Sequence, residues 1–204
     1  MLWNNQPDHD AIYRAAIAAY RRDGSLQSVE YHVSDANLGG FARFFLARHA
    51  RRTGSSSPVF IMLDDDEDVT PSFADDMLAS AGPRIYAGLW AWRYLGSHWD
   101  RVPAAVGEEA DYVGTGGSVC DMQLVDDDRF FTTLPLRFAF LEDQWLSSWA
   151  RRHGWSLRKV ETPVEFVLHE SNQFPALADL KDEFRIYLDR LPAVSTRRGK
   201  RLGP

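Results

Sequence analysis

Apolar and polar positions along this chain follow two rhythms, one of strand length and one of helical spacing. After the short apolar start Leu2-Trp3, the positions Ile12, Ala16, Ala19 and Tyr20 fall on one face of a helix predicted over Ala11–Arg22, with Asp8 or Asp10 as its cap. Val29–Val33 alternates like a strand. Ser34 through Gly40 is turn chemistry leading into a second helix, Phe41–Arg52, with Phe41, Phe44, Phe45 and Arg48 at helical spacing, and Gly54-Ser55-Ser56-Ser57 closes that unit. Pro58–Leu63 is a continuous apolar run, the pattern of a strand buried on both faces, and it stops abruptly at Asp64. Beyond it the spacing predicts a helix over Ser72–Ala81 and strands over Arg84–Trp90 and Asp111–Thr115. A helix over Asp143–His153 follows, with Trp145, Leu146 and Trp149 inward. Ser156–Val160 and Phe166-Val167-Leu168 read as strands, and Ala176–Leu191 as a last helix. Strand and helix alternate at short spacing, so the expected class is an α/β sandwich.

With 204 residues, the chain is long enough for one substantial core, expected over residues 1–192. The remainder, 193–204, carries Arg197, Arg198, Lys200 and Arg201 without apolar periodicity and is expected to be a mobile basic tail. Three of the seven Trp lie between Leu89 and Trp99, as core packing or as a surface on which a sugar stacks. The net charge of −6 argues against nonspecific nucleic-acid binding, so a small partner is expected. Cys120 stands alone and can form no intrachain disulfide. No apolar run approaches the roughly 18–20 residues of a membrane span, and Met1 through Asn5 lack a signal-peptide pattern. The cytoplasm is the expected compartment.

Asp64-Asp65-Asp66-Glu67-Asp68 follows directly on the apolar run at Leu63. Five adjacent acids repel one another unless a cation or solvent relieves them. Ligands of open α/β sheets bind beyond the carboxyl ends of strands, and hard oxygen donors suit Mg²⁺, Mn²⁺ or Ca²⁺ rather than zinc. On an extended segment Asp64 and Asp66 point the same way and flank one ion, while Asp65 faces elsewhere. The competing reading is a solvated acidic loop.

Trp3-Asn4-Asn5, Asn37-Leu38-Gly39-Gly40 followed by Arg43, Leu63-Asp64-Asp65-Asp66, Tyr112 through Gly117, and Leu141-Glu142-Asp143 follow one another along the chain. As an ordered set these segments resemble the GT-A glycosyltransferases, above all the exostosin-like branch and the family-two enzymes. The resemblance implies a GT-A-like, Rossmann-like mixed sheet flanked by helices; in departure from the family, Met1 falls almost on the Trp-Asn-Asn element where another strand normally precedes it, as in a fragment, a misassigned start or a reduced enzyme. It implies transfer of a sugar from a nucleotide-sugar, a UDP-sugar, to a saccharide or other hydroxyl acceptor, with Mn²⁺ or Mg²⁺. By it Asp64 and Asp66 hold the metal, joined by His169, which follows a strand-like run. Asn5, Asn37 and Arg43 lie near the nucleotide, Asp64 and Asp65 belong to the donor site, and Gly116 and Gly117 line the donor-sugar pocket. Asp143, beside Glu142, is the acceptor-side general base if the anomeric centre inverts. Each has a plainer alternative: turn-forming Asn, an exposed helix Arg, a tight glycine turn, acids at a helix N-terminus, a structural His. His32, His98 and His153 carry no comparable argument. Two other functions compete: a binding module that keeps metal and sugar sites without turnover, and a nucleotidyltransferase. The latter calls for a glycine-rich basic phosphate loop near the first strand, and none is visible.

Overall fold

A computed structural model describes residues 1–22, 28–167 and 177–192. The chain begins with β1 (Leu2–Asn4), α1 (Asp10–Arg22), β2 (Tyr31–Val33), α2 (Ala42–Arg52) and β3 (Val59–Met62). Next come β4 (Glu67–Val69), α3 (Phe73–Ala79), β5 (Ile85–Gly88), β6 (Ala91–Tyr94), β7 (Arg101–Pro103), β8 (Tyr112–Val113) and β9 (Ser118–Asp121). It closes with α4 (Asp128–Thr132), α5 (Glu142–Arg152), β10 (Ser156–Lys159), β11 (Val164–Phe166) and α6 (Ala178–Asp189). The main sheet runs β10-β5-β9-β3, with β9 antiparallel to both neighbours and β10 parallel to β5, so it is mixed. A parallel pair β1-β2, an antiparallel pair β4-β11 and a three-stranded sheet β7-β6-β8 surround it.

The large side chains meet between the sheet and α2, α4, α5 and α6, where Phe44, Tyr86, Phe130, Trp145, Leu146 and Phe184 are almost wholly buried. Trp145 satisfies its indole N–H on the Phe130 carbonyl at 2.9 Å, as a buried Trp must. Tyr86 likewise donates to the Val113 carbonyl at 2.9 Å. Among the described residues, no helix is long and apolar enough to cross a membrane.

Two expectations need correction. β3 is not buried on both faces: Val59, Phe60 and Ile61 are only partly covered and Leu63 is exposed, because β3 is an edge of the four-stranded sheet. The apolar face expected of the first helix does not enter the core, since Ile12 and Tyr20 on α1 are 67% and 54% exposed. The tail at 193–204 lies outside the described residues.

Candidate functional site

Strand register builds the site. Met62 at the end of β3 lies opposite Ser118 of β9, and Ser118 lies opposite Gly88 at the end of β5. The glycine run before β9 is thereby set beside the acids after β3. The closest approach is at Gly116, where a Cβ would stand 2.6 Å from Asp64 Oδ2 and 2.7 Å from Glu67 Oε1. Only glycine lets the backbone come so near. Gly117 has φ +57°, a left-handed conformation, and a side chain there would strike Leu89.

Asp64 and Asp66 are partly buried and Asp65 is exposed, in line with alternation, but the segment is not extended. Asp65 and Asp66 form a turn, so the chain folds back and Glu67, rather than Asp66, comes to rest against Asp64. Its Oε2 accepts from the Asp64 backbone N–H at 3.2 Å, and Trp90 Nε1 donates to its Oε1 at 3.2 Å. Burial raises the Asp66 carboxyl above the usual carboxylate range, and the charges of Asp64 and Asp65 add to the shift. Burial also raises Glu67, against the hydrogen bonds from Trp90 and the Asp64 backbone.

Arg43, on the first turn of α2, reaches into this cluster. Its Nη2 donates to Asp64 Oδ1 at 2.7 Å and its Nε to the Gly40 carbonyl at 2.8 Å. Burial acts to lower the guanidinium, yet Asp64 and Glu142 together hold it raised. Among the described residues Nη1 has no hydrogen-bond partner although it is shielded from solvent. An unsatisfied buried donor costs about 1–3 kcal/mol, and more on a charged group such as this guanidinium.

The turn that carries Arg43 is organised by the two asparagines expected near a nucleotide. Asn5 Oδ1 accepts from the Leu38 N–H at 3.0 Å and its Nδ2 donates to the Gly39 carbonyl at 3.3 Å. Asn37 Oδ1 accepts from the Gly39 N–H at 2.8 Å, an Asx turn. Gly39, at φ +55°, lies under the Phe140 ring, and a Cβ on Gly40 would collide with the Glu142 carboxyl. The leading turn of α2 thus closes directly on the start of α5.

There the two adjacent acids part company. Glu142 is buried, and desolvation, with the charge of Asp143 second and Arg43 opposing, pushes it up to about 8. Burial thus favours its acid form over the carboxylate. Thr115 Oγ1 lies 3.5 Å from its Oε1. Asp143 is half-buried, accepts from the Tyr112 hydroxyl, and takes the Gln144 N–H on Oδ1 at 2.7 Å. Burial and the charge of Asp143 hold the Tyr112 phenol well above its ordinary value, so it donates and does not ionise.

His169 lies outside the described residues. The strand leading to it does reach the acids: β11 pairs antiparallel with β4, and the Val167 N–H donates to the Asp66 carbonyl at 2.7 Å.

His98 fastens the start of α5 from below. It is fully buried, its Nε2 lies 2.8 Å from Arg101 Nη1 and its Nδ1 2.6 Å from the Gln144 side-chain amide, while its backbone N–H donates to Asp182 of α6 at 2.7 Å. With Nε2 accepting from Arg101, Nδ1 carries the proton. Turning the Gln144 amide over then gives that proton to Oε1, which otherwise has no partner among the described residues. Burial first, then Arg101, Lys181 and Arg185, push His98 down to about 3, and Tyr94, Tyr112 and Asp182 also lie against it. Between pH 6.5 and 3 the unfolded chain binds a proton here that the folded chain does not. This contribution is full above pH 6.5 and is lost as pH falls, by about 1.4 kcal/mol per pH unit. Urea midpoints at pH 7, 6 and 5 should show His98→Gln losing less stability per unit than the natural chain. Parallel slopes would contradict a neutral His98.

No family model and no curated protein matches the chain. Among solved structures it is similar to GalNAc-T7, in a crystal structure with UDP, GalNAc and Mn²⁺, at a TM-score of 0.53 and 16% identity over 84% of this chain. The chain spans 37% of the length of that protein. The likeness is one of fold and supports a GT-A-like arrangement of mixed sheet and helices. It does not separate the exostosin-like branch from the family-two enzymes.

Proposed function

We propose that this chain is a glycosyltransferase that moves a hexosyl or N-acetylhexosaminyl group from a nucleoside diphosphate sugar, a UDP-sugar, to a hydroxyl acceptor, with a divalent cation at Asp64 and Asp66. The observation that carries this is the convergence of Arg43, Asp64, Gly116 and Glu142 from four separate segments beyond the carboxyl ends of β3 and β5. Ligands of open α/β sheets bind in that position. The fold shared with a protein solved with UDP and Mn²⁺ supports the donor and cation class.

The donor set suits such a cation. Crowding of like charge contributes to raising Asp66 and Glu67, and an oxygen-coordinated divalent ion would relieve it. Asp64 and Asp66 would hold the ion, with His169 beyond β11 as a further ligand. When bound, it supplies Lewis-acid stabilisation of the departing diphosphate. The forked donors of the Arg43 guanidinium suit phosphate oxygens. Asn5 and Asn37 act on the donor through the turn that positions Arg43, Asp65 faces solvent at the nucleotide side, and Gly116 and Gly117 admit the sugar close to the backbone. Asp143, oriented by Tyr112, takes the proton of the acceptor hydroxyl. Burial, by favouring the acid form of Glu142, lessens the negative charge beside Asp143.

The ion pair between Arg43 and Asp64 Oδ1 favours one other reading, a module that binds donor without turnover. Release of UDP from a UDP-sugar in the presence of manganese separates the two. Calorimetry tests the premise common to both: manganese should tighten UDP binding by about tenfold or more, equivalent to about 1.4 kcal/mol. Equal affinity in EDTA would count against the metal bridge.

A further inference from the structure

Three side chains outside the acidic cluster converge at the other end of α2. Glu30 immediately precedes β2, His32 lies on it, and residues two apart on an extended chain project to the same side. His49 meets them from α2, six residues beyond Arg43 and so about 9 Å further along the helix axis. Glu30 Oε1 is 2.9 Å from His32 Nε2 and 2.8 Å from His49 Nε2. All three ligand atoms lie within 4.8 Å of one another, and no other trio of His, Cys, Asp and Glu among the described residues comes so close. The rings are held by packing: Trp3 stacks on His32 at 6.0 Å and 18°, and His32 meets His49 edge-on at 5.4 Å and 75°.

The geometry points to a second metal site, a transition-metal centre of two imidazoles and one carboxylate, with zinc as its ion. Two nitrogens and one oxygen form a borderline donor set that prefers zinc to magnesium, calcium or manganese, in contrast to the carboxylate-dominated set at Asp64 and Asp66. Zinc bonds of about 2.0–2.2 Å place tetrahedral ligands about 3.4 Å apart. The Nε2 and Oε1 atoms need move apart by only about half an ångström to admit the ion, a shift within reach of side chains that are about a third to a half exposed. Water completes the coordination from the solvent side.

Such an ion would tie β2 to α2. That matters because β1-β2 is a two-stranded pair hydrogen-bonded to no other strand among the described residues, an arrangement marginal by itself. It also carries Asn4 and leads to Asn5, which organises the turn before α2.

The full chain, stripped with a chelator, should bind one Zn²⁺ by calorimetry with a rise in Tm, and Co²⁺ should give the intense visible bands of four-coordination. Glu30→Gln and His49→Ala should each weaken Zn²⁺ by at least about tenfold, since even outer partners of a metal ligand are worth 10–100-fold. Asp64→Asn should leave Zn²⁺ affinity unchanged, which separates this site from the proposed donor site. Absence of Zn²⁺ binding by the natural chain, or equal binding by both variants, would overturn the assignment. Should His49→Ala misfold by circular dichroism, the size-matched Glu30→Gln carries the test alone.

Discussion

Asp64→Asn is expected to abolish manganese-dependent UDP binding and to reduce donor turnover on the order of 10³-fold, the several kcal/mol that a metal clamp contributes to the transition state. Its effect on stability should be small. The Arg43–Asp64 pair is partly exposed on both sides, and Asn keeps an oxygen for Arg43 Nη2, so a loss of about 1 kcal/mol or less is expected. Asp66→Asn should lose turnover equally but stand differently in stability. Asp66 has no cationic partner among the described residues and is crowded by Asp64 and Asp65, so removing its charge should leave the metal-free Tm unchanged or raise it. The two variants, measured by calorimetry and thermal melting beside a donor-hydrolysis assay, distinguish ligands from scaffold. Wild-type turnover in Asp64→Asn, or marked destabilisation of both, would make these acids structural.

The parts of the fold legible in the sequence are those with long or regular apolar spacing. α2, α5, α6, β3 and β10 fall where the pattern puts them, within a few residues at each end. β4, β6, β7, β9 and α4 were not legible, for identifiable reasons. β9 is bounded by buried Ser118 and Asp121, whose polar side chains are satisfied by the Thr115 carbonyl and the Arg84 and Gln123 N–H groups. Those partners are remote or local contacts that no periodicity reports. β4 reads as part of an acidic loop because Glu67 and Asp68 are charged, and only its pairing with β11 makes it a strand.

The same holds for the site. Asp64 and Gly116 are legible as an acid at a strand end and a side-chain-free approach, but their meeting depends on the register of β9 against β3. Glu67 stood in the sequence as one acid among five. The turn at Asp65-Asp66 and the indole of Trp90 single it out. Trp90 and Trp92 turn out partly buried while Trp99 is 52% exposed, so the Trp-rich segment serves core and surface at once. His98 carried no signal in sequence, because its importance lies in Arg101, Gln144 and Asp182, which come from three different elements or loops.

Asp143→Asn is expected to cut transfer by roughly 10²–10⁴-fold, the usual contribution of a positioned base, while UDP and manganese affinities stay unchanged. The structural alternative makes the opposite forecast. If Asp143 served only to order the start of α5, Asn would accept from the Gln144 N–H on its carbonyl oxygen while its Nδ2 donates to a Tyr112 hydroxyl turned to accept, and both stability and rate would be nearly silent. Asn therefore removes the proton acceptor and keeps both contacts, that with Tyr112 in reversed direction, which makes the rate decisive. Tyr112→Phe supplies the complementary measurement: it leaves the carboxylate but frees its orientation, so a smaller loss is expected, in kcat rather than in donor affinity. Glu142→Gln should resemble the natural chain more closely than Asp143→Asn does, because burial favours the neutral acid form of Glu142 and Gln has that charge. Near-natural transfer by Asp143→Asn, with a large loss in Glu142→Gln, would move the proton-accepting role from Asp143 to its neighbour.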